Sequence, residues 1–523
     1  MSRLRRAAHG VASSYVQLAA TAVYALASVP VALHYLDKER FGLWALVGTL
    51  SGYLNLIDAG MSGAASRLLI DHKDDRTGGG YGSMIKTGWI VSLVQAVIVL
   101  GAGLLLAPTF AQLLAVPMTL QPEFIQLIRW QCAVLALSFA ARVLGMILNA
   151  HQRMDWWNYS SVVALMASFG VQWLLFHIGF GVLSLAGGSF IGGALAIVLQ
   201  GVTCQRLKLF PEAGGWGQPS WRLFKEMFNY GKDLFLVSVG AQLINGSQII
   251  VITRLLGLEA AAAWSVGLRM FNLLNQVVWR IYDMSISALA EMMVRGETAR
   301  LRDRYRSLTI LSVSFAGWTG VSLAICNSLF VAIWTHGKIQ WPAGNDWLLA
   351  LWMIVVAGVR CYNCFIGLTK QIHSMRYVYF IEGVVFVGLS CLVARWGGLP
   401  AIIGCSIVCT LALSGAYGAW RISRYFEILI REVIWTWLKP MFKALMIYAP
   451  VALLVWKVAD SSPVILRLGL NAALAGSLGA YLFLRLGLPA ALQSELLERV
   501  PAGPGSLLKK VLGKPARQTK PLC

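Results

Sequence analysis

The sequence predicts an all-α membrane protein of about fourteen transmembrane helices, with two pseudo-symmetric six-helix lobes around a central cavity and two further C-terminal helices. Three observations predict it. Of 523 residues, 58% are hydrophobic and only 13% are charged, and the mean hydropathy is +0.66. A soluble chain of this length carries more charge to cover its surface. Apolar runs of roughly 20 residues, long enough to cross a bilayer, follow one another along the chain. An internal repeat relates the early runs to later ones.

The first run, 11–36, follows a basic stretch from Ser2 to Arg6. It is too long for a signal-peptide core and no small-residue cleavage site ends it, so it reads as a first membrane helix. Pro30 within it predicts a kink. The runs 43–70, 83–107, 123–149, 156–178 and 182–205 complete an N-terminal lobe, 1–206. After the second run, Gly78-Gly79-Gly80-Tyr81-Gly82 lacks the Lys-Ser/Thr of a phosphate loop and reads as a flexible connection. A cytoplasmic linker, 207–226, leads to 227–255, 259–293, 307–333, 347–370, 376–395 and 399–420, the C-terminal lobe 227–422. Region 423–485 holds the last two runs, 440–458 (with Pro450 as a second kink) and 464–485. The tail 486–523 is basic, with the pattern of a short amphipathic helix near 492–500.

Charge sets the orientation. The formal net charge is +21. The basic residues sit mainly between apolar runs, so they read as topology signals and lipid-headgroup contacts, and no nucleic-acid partner is expected. With the N-terminus inside, inner segments carry roughly 30 of the 44 Lys and Arg and outer segments roughly 7. Both termini are therefore expected in the cytoplasm. The nine Cys are scattered, and Cys361-x-x-Cys364 spans one helical turn with no second pair or His cluster. No metal or cofactor is expected.

A shift of roughly 220 residues lays helices 1–2 over helices 7–8. Leu36 meets Leu256, Glu39 meets Glu259, Trp44 meets Trp264, Leu54 meets Leu274 and Asn55 meets Asn275. Six helices separate the copies, so the repeat is parallel, about an axis along the membrane normal.

The first seventy residues carry a signature: Ala27-Ser-Val-Pro30, then Tyr35-Leu-Asp-Lys-Glu-Arg40-Phe-Gly42-Leu-Trp44, then Gly52-Tyr-Leu-Asn-Leu-Ile-Asp58-Ala-Gly60. In this the chain resembles the polysaccharide-exporter branch, including the Wzx-type O-antigen flippases, of the multidrug/oligosaccharidyl-lipid/polysaccharide flippase superfamily. The second half keeps only Glu259 and Trp264 of that wording. The resemblance implies a bacterial inner-membrane flippase rather than an enzyme. Its substrate would be a polyprenyl-diphosphate-linked oligosaccharide, moved from the cytoplasmic to the periplasmic leaflet for O-antigen or exopolysaccharide synthesis. Membrane lipids and a polysaccharide polymerase or glycosyltransferase are the implied partners. The coupling ion, proton or sodium, stays open.

Charge within a bilayer is costly and marks function or pairing. Among the basic residues inside the runs, these are the candidates: Arg67, Arg129, Arg142, Lys232, Arg269, Arg280 and Arg360. Arg67 and Lys232 lie near helix ends, where snorkelling suffices. Arg269, Asn272, Gln276, Arg280 and Asp283 recur at spacings of three or four, one polar stripe that lipid would reject. Arg280 either pairs with Asp283 one turn away or faces substrate. Arg269 and Arg360 have no carboxylate within a turn and are read as facing an anionic substrate, with Arg129 and Arg142 as further members of a cationic cavity. Asn272, Gln276, Gln242, Asn245 and Asn55 would line it, binding sugar or tying helices together. Asp58 caps a helix break, pairs with Arg67 or takes part in ion coupling; Asp283 and Glu382 are the other candidates for gating or coupling. Two rivals remain. A drug–cation antiporter would favour acidic or apolar cavity residues. A polymerase or ligase would place its chemistry on a long outer loop, but 108–122 and 334–346 offer only Glu123, His336, Lys338 and Asp346.

Overall fold

The computed structural model describes residues 3–283, 285–369, 373–489 and 492–494. Among them the chain is built from helices and contains no strand. Among the described residues, eleven helices are long and apolar enough to cross a membrane, which makes this an all-α, multi-pass architecture. The difference from fourteen has a physical origin. One run, Ser374–Phe426, has 53 residues, on the order of 80 Å of helix against a hydrocarbon core of about 30 Å. It is broken at Gly398, whose φ of 58° and ψ of −148° no helix contains, so it covers two of the expected segments. The expected helices 43–70 and 259–293 are broken into shorter pieces. The first becomes α2 (Lys38–Leu54) and α3 (Met61–His72). The second becomes α9 (Leu258–Gly267), α10 (Arg269–Asp283) and α11 (Ile286–Val294). Each piece falls short of the roughly 20 residues that span a bilayer alone.

The chain divides into two compact units, Met1–Ser265 with Tyr379–Arg395, and Val266–Val378 with Trp396–Cys523. In the first unit, α1 (Arg3–Tyr35) packs on α6 (Met154–Ile178). Asn158 donates to Ser13 Oγ at 2.9 Å and Gln172 donates to the Tyr24 hydroxyl at 2.7 Å. Interhelical hydrogen bonds of this kind hold membrane helices together where burial of apolar surface from water supplies no force. Tight approach does the rest. On α7 (Leu183–Arg206), a Cβ at Gly192 would stand 2.7 Å from the Ala164 carbonyl oxygen of α6. The helices α4 (Gly80–Leu113) and α5 (Gln121–Ala150) pack side by side. The Gly78–Gly82 stretch is not the flexible connection expected. Asp75 accepts from the Gly78 and Gly80 amides at 2.9 and 3.0 Å, and Gly82 is pressed against Gly215 and Trp216. The glycines permit close backbone packing there.

In the second unit, α12 (Thr298–Trp334) is the central, mostly buried helix, flanked by α13 (Ala343–Leu368). Both C-terminal segments dock on it, through α16 (Lys439–Val458) and α17 (Val464–Leu474). The Tyr448 hydroxyl meets Ser322 Oγ at 2.9 Å, Asn471 donates to the Ile325 carbonyl at 2.7 Å, and the Trp318 indole donates to the Ala475 carbonyl at 2.9 Å. Pro30 and Pro450 lie inside α1 and α16, which stay helical through them. The expected tail helix lies largely outside the described residues. Cys361 and Cys364 are free thiols on α13, and no metal-binding group is found among the described residues.

Candidate functional site

The α2–α3 break contains no proline. After Leu54 the chain makes a 3₁₀ turn over Asn55–Asp58, and Ala59 and Gly60 then take left-handed conformations at φ 49° and 71° before α3 begins. A break at membrane depth is stable only where neighbours satisfy the freed backbone groups. Gln95, buried on α4, donates its Nε2 to the carbonyls of Ile57 at 3.2 Å and Asp58 at 3.3 Å. Asp58 Oδ2 accepts from the Ser62 hydroxyl at 2.7 Å and the Ser62 amide at 3.3 Å, capping α3. Gly60 lies against α8 (Trp221–Leu256), where its Cβ would stand 2.6 Å from the Gly231 carbonyl oxygen. Capping is thus one role Asp58 fills. Its ionic partner is not Arg67, which is exposed, but Arg142 of α5. Arg142 Nη1 lies 2.7 Å from Asp58 Oδ1, its Nη2 donates to Asn55 Oδ1 at 3.3 Å, and the guanidinium covers the Phe139 ring at 4.1 Å. Gln95→Leu is expected to strip both carbonyls of their donor, at about 1–3 kcal/mol per orphaned group. Thermal unfolding of the purified variant in detergent checks this, and an unshifted midpoint would mean the break is held by other contacts.

An apolar hollow of ≈ 470 Å³ adjoins this break, between Ile57, Met61, Val94, Gln95 and, at the start of α8, Trp221 and Phe224. Further along α8, the Tyr53 hydroxyl meets Ser247 Oγ at 2.5 Å and donates to the Gln242 carbonyl at 3.3 Å. Gln242 itself is half-buried, packed against Gly52 and Gly246. Asn245 is exposed and turns back to the Ala241 carbonyl at 2.9 Å.

In the second unit α10 ends at Asp283 and α11 begins at Ile286, with Ser285 in a turn before it. Here Arg360 of α13 lies 3.0 Å from Asp283 through Nη2, with its guanidinium over the Trp279 ring at 5.1 Å. One expectation is corrected: Asp283 pairs with Arg360 instead of Arg280. No carboxylate lies within a turn of Arg360 in sequence, and its partner comes from another helix. Arg280 is exposed and makes no ion pair among the described residues. The polar stripe of α10 keeps its face: Asn272, Arg280 and Asp283 are exposed and Arg269 and Gln276 half-buried, while Phe271, Asn275, Val278 and Tyr282 are buried.

The structure therefore brings Asn55, Asp58 and Arg142 together in one unit, and Asp283 and Arg360 in the other. It does not join Arg129, which is exposed on α5, to either group, and Glu382 is fully buried. Sequence reasoning missed Gln95, Gly231 and Trp279. A lone Gln inside an apolar run was the available signal for Gln95; Gly231 and Trp279 had none.

Residues 8–287 match the family described as polysaccharide biosynthesis protein. No curated protein sequence matches the chain. Among solved structures, an inward-facing multidrug resistance MATE family transporter of the MOP superfamily is similar, with a TM-score of 0.63 and 14% identity over 77% of this chain and 94% of its own. The lipid II flippase MurJ in an inward closed conformation gives 0.63 and 11% over 91% of this chain and 98% of its own. A MATE crystal structure in the bent conformation gives 0.54 and 14% over 78% and 93%. At these identities the likeness is one of fold.

Proposed function

This chain belongs to the polysaccharide biosynthesis protein family, and we propose that it is a flippase for a polyprenyl-diphosphate-linked oligosaccharide. It would move this lipid from the cytoplasmic to the periplasmic leaflet of a bacterial inner membrane by alternating access, with both termini in the cytoplasm, for surface-polysaccharide synthesis. One observation carries the reading: in corresponding segments of the two halves, the second helix is broken, and an arginine from another helix stands at each break. Interrupted helices at corresponding positions are the best local pointer to a transporter's binding site. Arginine suits an anionic diphosphate because its planar fork makes charge-assisted, often bidentate, bonds to phosphate oxygens. The exposed polar face of α10 would meet water or glycan, since hydrocarbon would reject it. The hollow beside Ile57 and Trp221 has the apolar lining a lipid chain requires.

MATE-like folds also suit a drug antiporter, as the comparable TM-scores indicate. The family match and the arginines at both breaks favour the saccharide-lipid reading. The test uses a strain lacking the gene, with lipid-linked oligosaccharides probed by an impermeant periplasmic reagent. Completed units held on the cytoplasmic side, and released when the gene is restored, are expected. Completed units appearing outside without the gene would overturn the reading, and units never completed would point to an enzyme.

A further inference from the structure

The two ion pairs are counterparts. Arg142 and Arg360 each stand eight residues before the last residue of their helices, α5 and α13, on the order of 12 Å along the axis. Asp58 and Asp283 each sit where the second helix of their half is interrupted. Asp58 and Asp283 lie 225 residues apart and Arg142 and Arg360 218 apart, each within a few residues of the shift that relates the halves. Arginine–carboxylate contacts in this protein differ in how much of the fork they use. Arg40 grips Glu123 with both Nε and Nη2, at 2.7–3.1 Å. By contrast, Asp58 is met by Arg142 through Nη1, and Asp283 by Arg360 through Nη2. The side chains are accessible: Arg142 and Asp58 are 22% and 16% exposed, and Arg360 and Asp283 38% and 36%. An end-on carboxylate contact is weaker than the two parallel bonds a phosphate makes with the same fork.

We propose that Asp58 and Asp283 are exchangeable counter-ions: each holds its arginine while no anion is present, and a phosphate group displaces the carboxylate, freeing the broken helix to rearrange. The aspartates are positioning residues, acting through Arg142 and Arg360. Each exchange is confined to its own unit. The inference deepens the lipid-diphosphate reading and rests on it.

The probe is geranylgeranyl diphosphate added to the purified full-length protein in detergent, with binding read from tryptophan fluorescence and geranylgeraniol as the uncharged control. Asp58→Asn and Asp283→Asn remove the competing charge but keep the side-chain size. Each is expected to tighten diphosphate binding by up to roughly fivefold, the equivalent of a partly exposed ion pair. Binding of the alcohol should not change, and leaflet exchange in cells should slow because arrival of the anion no longer triggers release. Glu123→Gln should leave diphosphate affinity as it is. If Asp58→Asn reduces the folded yield because Ser62 loses its cap, Asp283→Asn carries the test. Wild type binding the diphosphate, with the Asn variants binding it equally or more weakly, overturns the exchange and leaves the flippase reading standing. Failure of the wild type to prefer diphosphate over alcohol overturns both.

Discussion

Arg269→Ala and Arg360→Ala are each expected to stop export of the lipid-linked saccharide while folded protein reaches the membrane at normal abundance. The reasoning begins with what each side chain does. Arg360 lies over Trp279 and reaches Asp283 at the end of α10. Arg269 opens the same helix, on its polar face. A hydrogen bond to a charged group contributes about 1.5–3 kcal/mol, or roughly 10- to 150-fold in an equilibrium or rate. Two bonds lost from one fork place the variant below a detectable rate. The stability cost is smaller. The Arg360–Asp283 pair is more than a third exposed, which limits its contribution to about 1 kcal/mol. Arg360→Lys separates charge from geometry: it keeps the cation but not the planar fork, so partial export is expected. Leaflet assignment of the accumulated lipid, with immunoblotting of the membrane fraction, reads both quantities. Normal export by Arg269→Ala and Arg360→Ala at normal abundance would remove the cationic-site idea. Lost export that merely tracks lost protein would recast both arginines as structural.

The parts of this picture that were legible in the sequence are those that local periodicity controls. The stripe of α10 was visible because residues three or four apart share a helix face, and it keeps that face in the structure. The membrane runs were visible because hydrocarbon demands about 20 apolar residues. The breaks were not. Asn55 to Gly60 interrupts an apolar run without proline, and what stabilises the interruption comes from elsewhere: Gln95 from α4, Gly231 from α8, Arg142 from α5. The Asp-x-Gly signature marked the place, and Gly60 in a left-handed conformation explains its glycine. Pairing was misread for the same reason. Arg280 is one turn from Asp283, a spacing that local rules favour, and Arg67 lies on the helix just after Asp58. The partners found, Arg360 and Arg142, lie 77 and 84 residues away in sequence. Only packing of α13 against α10, and of α5 beside the α2–α3 turn, could reveal them.

Asp346 was another residue whose meaning depended on packing, and its removal is the largest stability effect expected. From the sequence it belongs to a thin outer loop. In the structure it lies in the first turn of α13, fully buried. Its carboxylate accepts from Asn327 Nδ2 at 2.7 Å, the Trp341 indole at 2.6 Å and the Ser328 amide at 2.9 Å. Asn327 also donates to the Gly267 carbonyl at 3.0 Å, at the junction of α9 and α10, so one acid ties α12, α13 and that junction together. Asp346→Ala removes three hydrogen bonds to a buried carboxylate, from Asn327, Trp341 and Ser328. A hydrogen bond to a charged group contributes about 1.5–3 kcal/mol, and with partial compensation by other acceptors the total is on the order of 3–5 kcal/mol. Asp346→Asn keeps one acceptor but turns an NH₂ toward a donor, so it should recover only part of that loss. The midpoint of thermal unfolding in detergent, followed by tryptophan fluorescence, measures both. A wild-type midpoint for Asp346→Ala would show that these donors find other acceptors. Export should fall only in proportion to folded protein. A well-folded Asp346 variant with lost export would instead move the carboxylate from the scaffold into the transport cycle, because an acid that merely ties helices together has no other way to act on substrate.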